Sequence, residues 1–168
     1  MSLIAQPGTK RAYHLTRHDR LEAIMRDGLR TNSARLLTEF PSPDEVRALY
    51  GCIPVFVSAQ PWLERERYDL LADFGDPADF VLLSVDVDGL PLAADIMCLS
   101  GKGAYLESDH LWFEEDDHPL SGWVDPVSET ISYHRLITDQ DLITAANRWT
   151  GTMAVLSSIG PDRIRIVD

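Results

Sequence analysis

The sequence predicts an α+β fold in a single domain. Its 168 residues, 45% of them hydrophobic and 25% charged, suffice for one sizeable core. β-Branched runs such as Phe80 to Val87 indicate buried strands, and amphipathic stretches such as Thr16 to Gly28 indicate short helices. Because strands and helices alternate without a linker-like change in composition, we expect one domain over residues 1–168, with 1–10 as a flexible N-terminal segment.

The first predicted unit is a strand followed directly by a helix. Tyr13 to Leu15 reads as a strand end, and Thr16 is of the residue type that caps helix N-termini. Spacings of three and four residues give the helix one apolar face, made of Leu21, Ile24 and Met25. Gly28 can adopt the positive φ that ends a helix, and Leu29 can supply the accompanying hydrophobic contact.

Capping and patterning predict the next three elements. Ser42 as cap and Pro43 at the first position start a helix that buries Val46, Leu49 and Tyr50 and ends at Gly51. The apolar run from Ile53 to Ser58 predicts a buried strand, with Pro54 at its beginning or at a sheet edge. Pro61 to Asp73 has the pattern of a third helix.

The second half of the chain is predicted by the same criteria. Thr138 is expected to cap a helix from Asp139 to Trp149, with Leu142, Ile143, Ala146 and Trp149 facing the core. The predicted strands are Phe80 to Val87, Asp95 to Leu99, Thr130 to His134 and Arg163 to Val167.

Net charge narrows the classes of partner. A formal charge of -12 at pH 7 argues against binding of duplex DNA, which depends on lysine and arginine. A group of arginines in the N-terminal third is compatible with a small anionic ligand, or serves only to balance neighbouring carboxylates; these are Arg11, Arg17, Arg20, Arg26, Arg30 and Arg35. The sequence lacks a membrane-spanning run and a signal peptide, so we expect a cytoplasmic protein with Cys52 and Cys98 as buried thiols.

One acidic segment, Asp109 to His118, offers residues of metal-ligand type. His110, Glu114 and His118 would stack on one face if the segment were helical. Helix signals are weak there and Pro119 follows, so we interpret the segment as a solvated loop and expect no metal site.

Three segments, in this order, carry a family resemblance. They are Tyr13-His14-Leu15-Thr16 with its helix, residues 53–63 (Ile-Pro-Val-Phe-Val-Ser-Ala-Gln-Pro-Trp-Leu) and residues 128–138 (Ser-Glu-Thr-Ile-Ser-Tyr-His-Arg-Leu-Ile-Thr). Together they resemble the ADP-ribosyltransferase superfamily, and most closely its DarT-like branch, which modifies bases of single-stranded DNA. The resemblance implies split mixed or antiparallel sheets with short flanking helices, and NAD as the substrate.

The resemblance also implies residue roles. Glu129 would be the catalytic carboxylate, which stabilises the oxocarbenium-like state formed when the nicotinamide–ribose bond breaks. His14 would bind the nicotinamide ribose and Ser58 would lie near the nicotinamide. The remaining contacts to NAD would come from Thr16 (if it does more than cap the helix), from Trp62 or Tyr68 as the aromatic platform, and from Arg35 or Arg47 at the pyrophosphate.

Two departures leave the acceptor open. The acidic charge is unusual for an enzyme acting on nucleic acid, and Val55-Phe56 occupies the position where many relatives carry the aromatic residue of the second motif, which is therefore not cleanly present. A nucleic acid, a protein or a small molecule could accept ADP-ribose, and an RNA 2′-phosphotransferase-like activity fits as well. The alternative from another class is a non-catalytic domain whose acidic surface binds a basic partner protein.

Overall fold

The computed structural model describes residues 11–33, 42–59, 76–95, 104–107, 110–113, 138 and 140–167. Within these ranges the strands are β1 (Arg11–Arg17), β2 (Val55–Ser58), β3 (Phe80–Asp86), β4 (Leu92–Ala94), β5 (Ala104–Glu107), β6 (His110–Phe113), β7 (Thr152–Val155) and β8 (Ile164–Ile166). The helices are α1 (His18–Asp27), α2 (Pro43–Tyr50) and α3 (Gln140–Thr150), with 3-10 turns at Pro77–Asp79 and Pro161–Arg163.

Six of these strands form one sheet in the order β4-β7-β2-β1-β3-β8, and β5 and β6 form a separate two-stranded sheet. Every neighbouring pair in the two sheets is antiparallel. The predicted α+β class is therefore confirmed. The strand that carries His14, β1, lies in the interior of the large sheet, between β2 and β3.

The largest hydrophobic cluster covers one face of the large sheet. Side chains alternate across a strand, and in β3 the buried ones are Val81, Leu83 and Val85. They pack with valines of β2 and β7, with Ile143 of α3, and with Leu21 and Ile24 of α1. On the other face, Tyr50 of α2 meets the Phe56 ring edge-on at 6.3 Å.

The β1–α1 junction differs from the prediction. The ladder between β1 and β3 continues to the pair Arg17↔Phe80, so Thr16 stays extended opposite Val81 and is buried. Arg17 occupies the N-cap position without a side-chain capping bond, and the predicted Thr16 cap is wrong. The sequence analysis also assigned Met25 to the apolar face of α1, but its side chain is exposed.

Helix α1 ends at Gly28 with a positive φ, as predicted, and the structure shows which contacts hold the chain after it. Gly28 has a φ of 85° and its N–H still donates to the Ile24 carbonyl. Leu29 then forms a two-residue bridge with Ile159, in which each N–H donates to the other residue's carbonyl oxygen at 2.9 and 2.7 Å. Both side chains are buried, so this bridge fixes α1 to the chain that leads into β8.

Other elements can be compared one by one. The predictions for α2, β2, β3 and α3 hold to within a few residues, and β2 begins immediately after Pro54. Of the strand predicted over Asp95 to Leu99, only Asp95 lies among the described residues, and it is not in a strand; the described strand before it, β4, ends at Ala94. Strand β7, which lies inside the sheet, was not predicted.

Several expectations fall outside the described residues: the flexible segment 1–10, the helix from Pro61 to Asp73, the strand from Thr130 to His134, and the burial of Cys98. In the part of the chain that is described, no helix has the length and apolarity to cross a membrane. Cys52 is a free, half-buried thiol, and burial raises its pKa.

Candidate functional site

His14 lies on the core face of β1. The register sets Ala12 opposite Val85, His14 opposite Leu83 and Thr16 opposite Val81. Ala12 and Leu83 are completely buried, whereas His14 is half-buried. An imidazole therefore lies on a face that is apolar apart from Thr16, which requires its ring nitrogens to find hydrogen-bond partners or reach water.

One of these partners is known. The Nδ1 atom of His14 lies 2.8 Å from the carbonyl oxygen of Phe56, on the neighbouring strand β2. A carbonyl oxygen can only accept, so Nδ1 must carry the proton and donate it. None of the described residues forms a hydrogen bond with Nε2.

The protonation state of His14 follows from its surroundings. Burial lowers the pKa of His14 below its ordinary value, and the hydrogen bond to the Phe56 carbonyl opposes that shift. The ring is therefore neutral near pH 7, and with the proton held on Nδ1 the Nε2 atom is an acceptor. The site offers a fixed imidazole acceptor suited to a hydroxyl group.

The Phe56 carbonyl is accessible to His14 because β1 and β2 diverge. The register pairs all seven residues of β1 with β3, but on the other side it pairs Tyr13 alone with Ser58. From that pair onward, residues 14–17 and 55–57 are not register partners, and we call this opening the β1–β2 gap. The His14 side chain bridges it, replacing a ladder hydrogen bond with a side-chain one.

Ser58 closes one end of the gap. Its hydroxyl donates to the Tyr13 carbonyl at 3.4 Å, and its side chain is buried. Residues in register share a face, so Ser58 lies on the face of Tyr13, and His14 lies on the opposite one. The structure thus brings Ser58 to the gap without placing it on the face of His14, whereas Thr16 shares that face.

Arg47 lies on helix α2 and not on the strands that form the gap. It is exposed on α2 and forms an ion pair with Asp44, with Nη1 and Oδ1 3.3 Å apart. Four further predicted residues, Glu129, Trp62, Tyr68 and Arg35, lie outside the described residues. Whether the Glu129 carboxylate meets His14 stays a prediction.

The metal hypothesis required residues 110–118 to form a helix, and the sequence already disfavoured it. His110 is the first residue of strand β6, where residues four apart do not stack as they do on a helix. In the described ranges, no three side chains of His, Cys, Asp or Glu group as metal ligands. Glu114 and His118 lie outside those ranges.

Sequence reasoning missed the group that orients His14. The Phe56 oxygen belongs to the backbone, so its residue type carries no signal for it. Residues 55–57 pair with β7 but not with β1, and the local sequence of β2 carries no signal for that difference.

Comparisons with known proteins add little. No family model matches the chain, and no curated protein sequence matches it. Among solved structures the chain is similar to EcPltA, with a TM-score of 0.42 and 12% identity, over 95% of this chain and 74% of that chain. A likeness of this size does not assign a function.

Proposed function

We propose that this protein is an NAD-dependent ADP-ribosyltransferase-like enzyme that transfers ADP-ribose from NAD to an acceptor. The observation that carries the proposal is the neutral imidazole of His14, held by the Phe56 carbonyl at the β1–β2 gap with Nε2 as an acceptor. A ribose hydroxyl is a donor of the kind that Nε2 can bind.

The roles follow from the chemistry of the reaction. The C1′–N bond to nicotinamide breaks, its electron pair leaves with nicotinamide, and positive charge develops on the ribose. A neutral His14 holds the ribose without adding repulsion, whereas a protonated ring would oppose the developing charge and would lose its acceptor. Glu129 stabilises that charge, and its carboxylate takes the acceptor's proton as the new bond to C1′ forms.

The other proposed contacts are divided among three parts of NAD. An aromatic ring from Trp62 or Tyr68 would contact the nicotinamide, and Ser58, whose side chain lies on the face opposite His14, would approach it across the closed end of the gap. Thr16 shares the face of His14 and would lie beside the adenosine part. Arg47 or Arg35 would bind the pyrophosphate, in which case Arg47 exchanges its exposed ion pair with Asp44 for phosphate oxygens.

Two isosteric substitutions at His14 test the central step. In His14→Asn the amide nitrogen reaches the Nδ1 position and keeps the bond to Phe56, but the Nε2 acceptor is lost. In His14→Gln the amide reaches the Nε2 position and the bond to Phe56 is lost. NAD binding is measured by calorimetry, and we expect His14→Asn to weaken it about tenfold, the value of one hydrogen bond to a fixed acceptor.

The matched control is His18→Asn, since His18 is exposed at the start of α1, four residues further along the chain. It should bind NAD as the wild type does. Equal affinity of wild type and His14→Asn would remove His14 from the site. Failure of the wild type to bind millimolar NAD would reject the proposal for the isolated chain and favour the acidic interaction domain.

A separate measurement tests Glu129. NAD consumption is followed in the wild type and in Glu129→Gln, which keeps the size of the side chain and removes its charge. We expect turnover to fall by at least about a hundredfold with NAD affinity nearly unchanged, because the charge acts mainly in the transition state. Unchanged turnover would exclude Glu129 from the mechanism.

A further inference from the structure

The face of the large sheet opposite His14 carries a second group of polar residues. The register aligns Arg11 with Asp86, Tyr13 with Ser84, and Ser84 with Arg165. Paired residues share a face, so Arg11, Ser84 and Arg165 lie together across β1, β3 and β8. We call these three residues the open-face cluster.

Burial distinguishes this face from the core. The residues of β3 that alternate with Ser84, namely Leu83 and Val85, are completely buried. Ser84 itself is half-buried, and Arg11 and Arg165 are exposed. The cluster is therefore reachable from solvent, and its two guanidinium groups stand on either side of a hydroxyl.

Neither guanidinium is neutralised by a carboxylate in the described part of the chain. Arg11 donates from Nη1 to the Ser84 hydroxyl at 2.9 Å, and Arg165 has no side-chain hydrogen bond or ion pair there. Asp86, the residue in register with Arg11, uses Oδ1 to accept the Asp88 N–H at 2.9 Å, which directs it into its own turn.

This pairing pattern is unexpected for a chain with a formal charge of -12. Carboxylates are abundant, and other arginines have them as partners: Arg17 with Asp19, Arg26 with Asp27, and Arg47 with Asp44. Among the described residues, Arg11 and Arg165 are two guanidinium groups on one exposed face that form no ion pair with a carboxylate. An anion that binds beside these two guanidinium groups would gain favourable electrostatic energy that distant carboxylates do not provide.

We propose that the open-face cluster is a binding site for a phosphoryl group. A guanidinium presents paired N–H donors whose spacing matches two phosphate oxygens, and here two guanidiniums flank one hydroxyl donor. Side chains directly opposite one another on antiparallel strands have Cβ atoms about 4.5–5.5 Å apart, so Ser84 and Arg165 can reach one tetrahedral anion. Arg11 already extends to Ser84, and a phosphate there would take over its donors.

The site lies on the other side of the sheet from the His14 imidazole, so its test does not depend on NAD binding. Inorganic phosphate is titrated into the protein, at ionic strength held constant with chloride, and backbone amide signals are followed by NMR. We expect saturable shifts centred on β1, β3 and β8 near Arg11, Ser84 and Arg165. The same shifts should appear in His14→Asn.

Variants of equal charge separate a site from general electrostatics. Arg165→Gln and Arg11→Gln should each weaken phosphate binding about tenfold or more, the usual loss for one charge-assisted hydrogen-bonding group. Arg20→Gln, an exposed arginine on α1, changes the net charge equally and should leave the affinity unchanged. Equal weakening in all three variants, or shifts that do not saturate, would overturn the proposal.

The source of the phosphoryl group is distinguished by a second arm. O-phosphoserine and serine are titrated under the same conditions. Binding of phosphoserine with an affinity equal to or above that of inorganic phosphate supports the cluster as a phosphoester site. Binding of inorganic phosphate alone supports the same cluster as a site for the free ion, and binding of serine as tightly as phosphoserine would contradict any role for the phosphoryl group.

Discussion

Replacing Gly28 with alanine should destabilise the fold more than any ordinary helix-end substitution. Gly28 has φ 85° and ψ -177°, a combination that residues with a side chain avoid. A Cβ built on Gly28 would stand 2.1 Å from the Ile159 carbonyl oxygen and 3.1 Å from its carbon. Because the obstructing atoms belong to the backbone, no rotamer change can relieve the overlap.

The cost has two physical parts. Backbone strain of this kind costs about 1–3 kcal/mol. Moving the Ile159 carbonyl away also weakens the two hydrogen bonds of the Leu29–Ile159 bridge, each of which contributes about 0.5–1.5 kcal/mol. We therefore expect the free energy of unfolding to fall by about 3–5 kcal/mol, a large fraction of the stability of a domain of this size.

Urea unfolding followed by circular dichroism measures this loss as a lower midpoint at an unchanged slope. Gly89→Ala is the matched control, because Gly89 has a similar φ of 72° but nothing lies within 4 Å of its added Cβ. It should cost about 1–2 kcal/mol from φ alone. If Gly28→Ala and Gly89→Ala destabilise the protein equally, the close approach of Ile159 does not contribute, and the reasoning is refuted.

Three further outcomes are expected. The pKa of His14 is lowered in the folded protein, so as the pH is reduced below about 6.5 the unfolded chain takes up a proton and the folded chain does not. The free energy of unfolding should therefore decrease as the pH is lowered from there to the folded pKa, by at most about 1.4 kcal/mol per pH unit. Denaturant midpoints measured across pH should lose this slope in His14→Gln, and an identical slope in that variant would contradict the assignment. Tyr50→Phe removes the hydroxyl that donates to the Ala94 carbonyl at 2.7 Å in a buried position, and chemical denaturation should show a loss of about 1–3 kcal/mol; no loss would mean that water satisfies that carbonyl. Asn32 has a φ of 65° and its Oδ1 accepts the Ile53 N–H at 2.9 Å, so Asn32→Ala should cost about 2 kcal/mol and Asn32→Gly, which tolerates that φ, only about 1 kcal/mol. Thermal melts compare the two variants, and a glycine variant less stable than the alanine variant would count against a role for φ.

Local patterning was sufficient for several elements. The β-branched run at Phe80 predicted β3 almost to the residue, because a strand with one buried face must alternate in this way. The proline at the first position and the glycine at the end marked α2, because both act through their own backbone geometry. The glycine at position 28 likewise marked the end of α1.

The failures have a common origin in pairing between distant segments. Thr16 has the side chain of a cap, but the ladder to Val81 keeps it extended and in the core. Strand β7 (Thr-Met-Ala-Val) is too short to produce a pattern, and its place between β2 and β4 comes from partners about a hundred and about sixty residues away. Local propensity does not depend on such distant partners, and the pairing with them overrides local propensity when it forms.

The candidate site divides in the same way. The sequence alone predicted a strand that carries His14 ahead of α1, with polar residues elsewhere in family-like order, but it placed His14 at the strand's end, whereas His14 is the middle residue of β1. Only the tertiary structure decided that β1 and β2 diverge after Tyr13 and Ser58, that the Phe56 carbonyl fixes the imidazole proton on Nδ1, and that Ser58 lies on the opposite face. It also aligned Arg11, Ser84 and Arg165, which are separated by up to 154 positions along the chain, on one exposed face. The physical reason is that hydrogen-bond geometry and strand register are properties of two segments together, whereas a sequence pattern reports on one segment at a time.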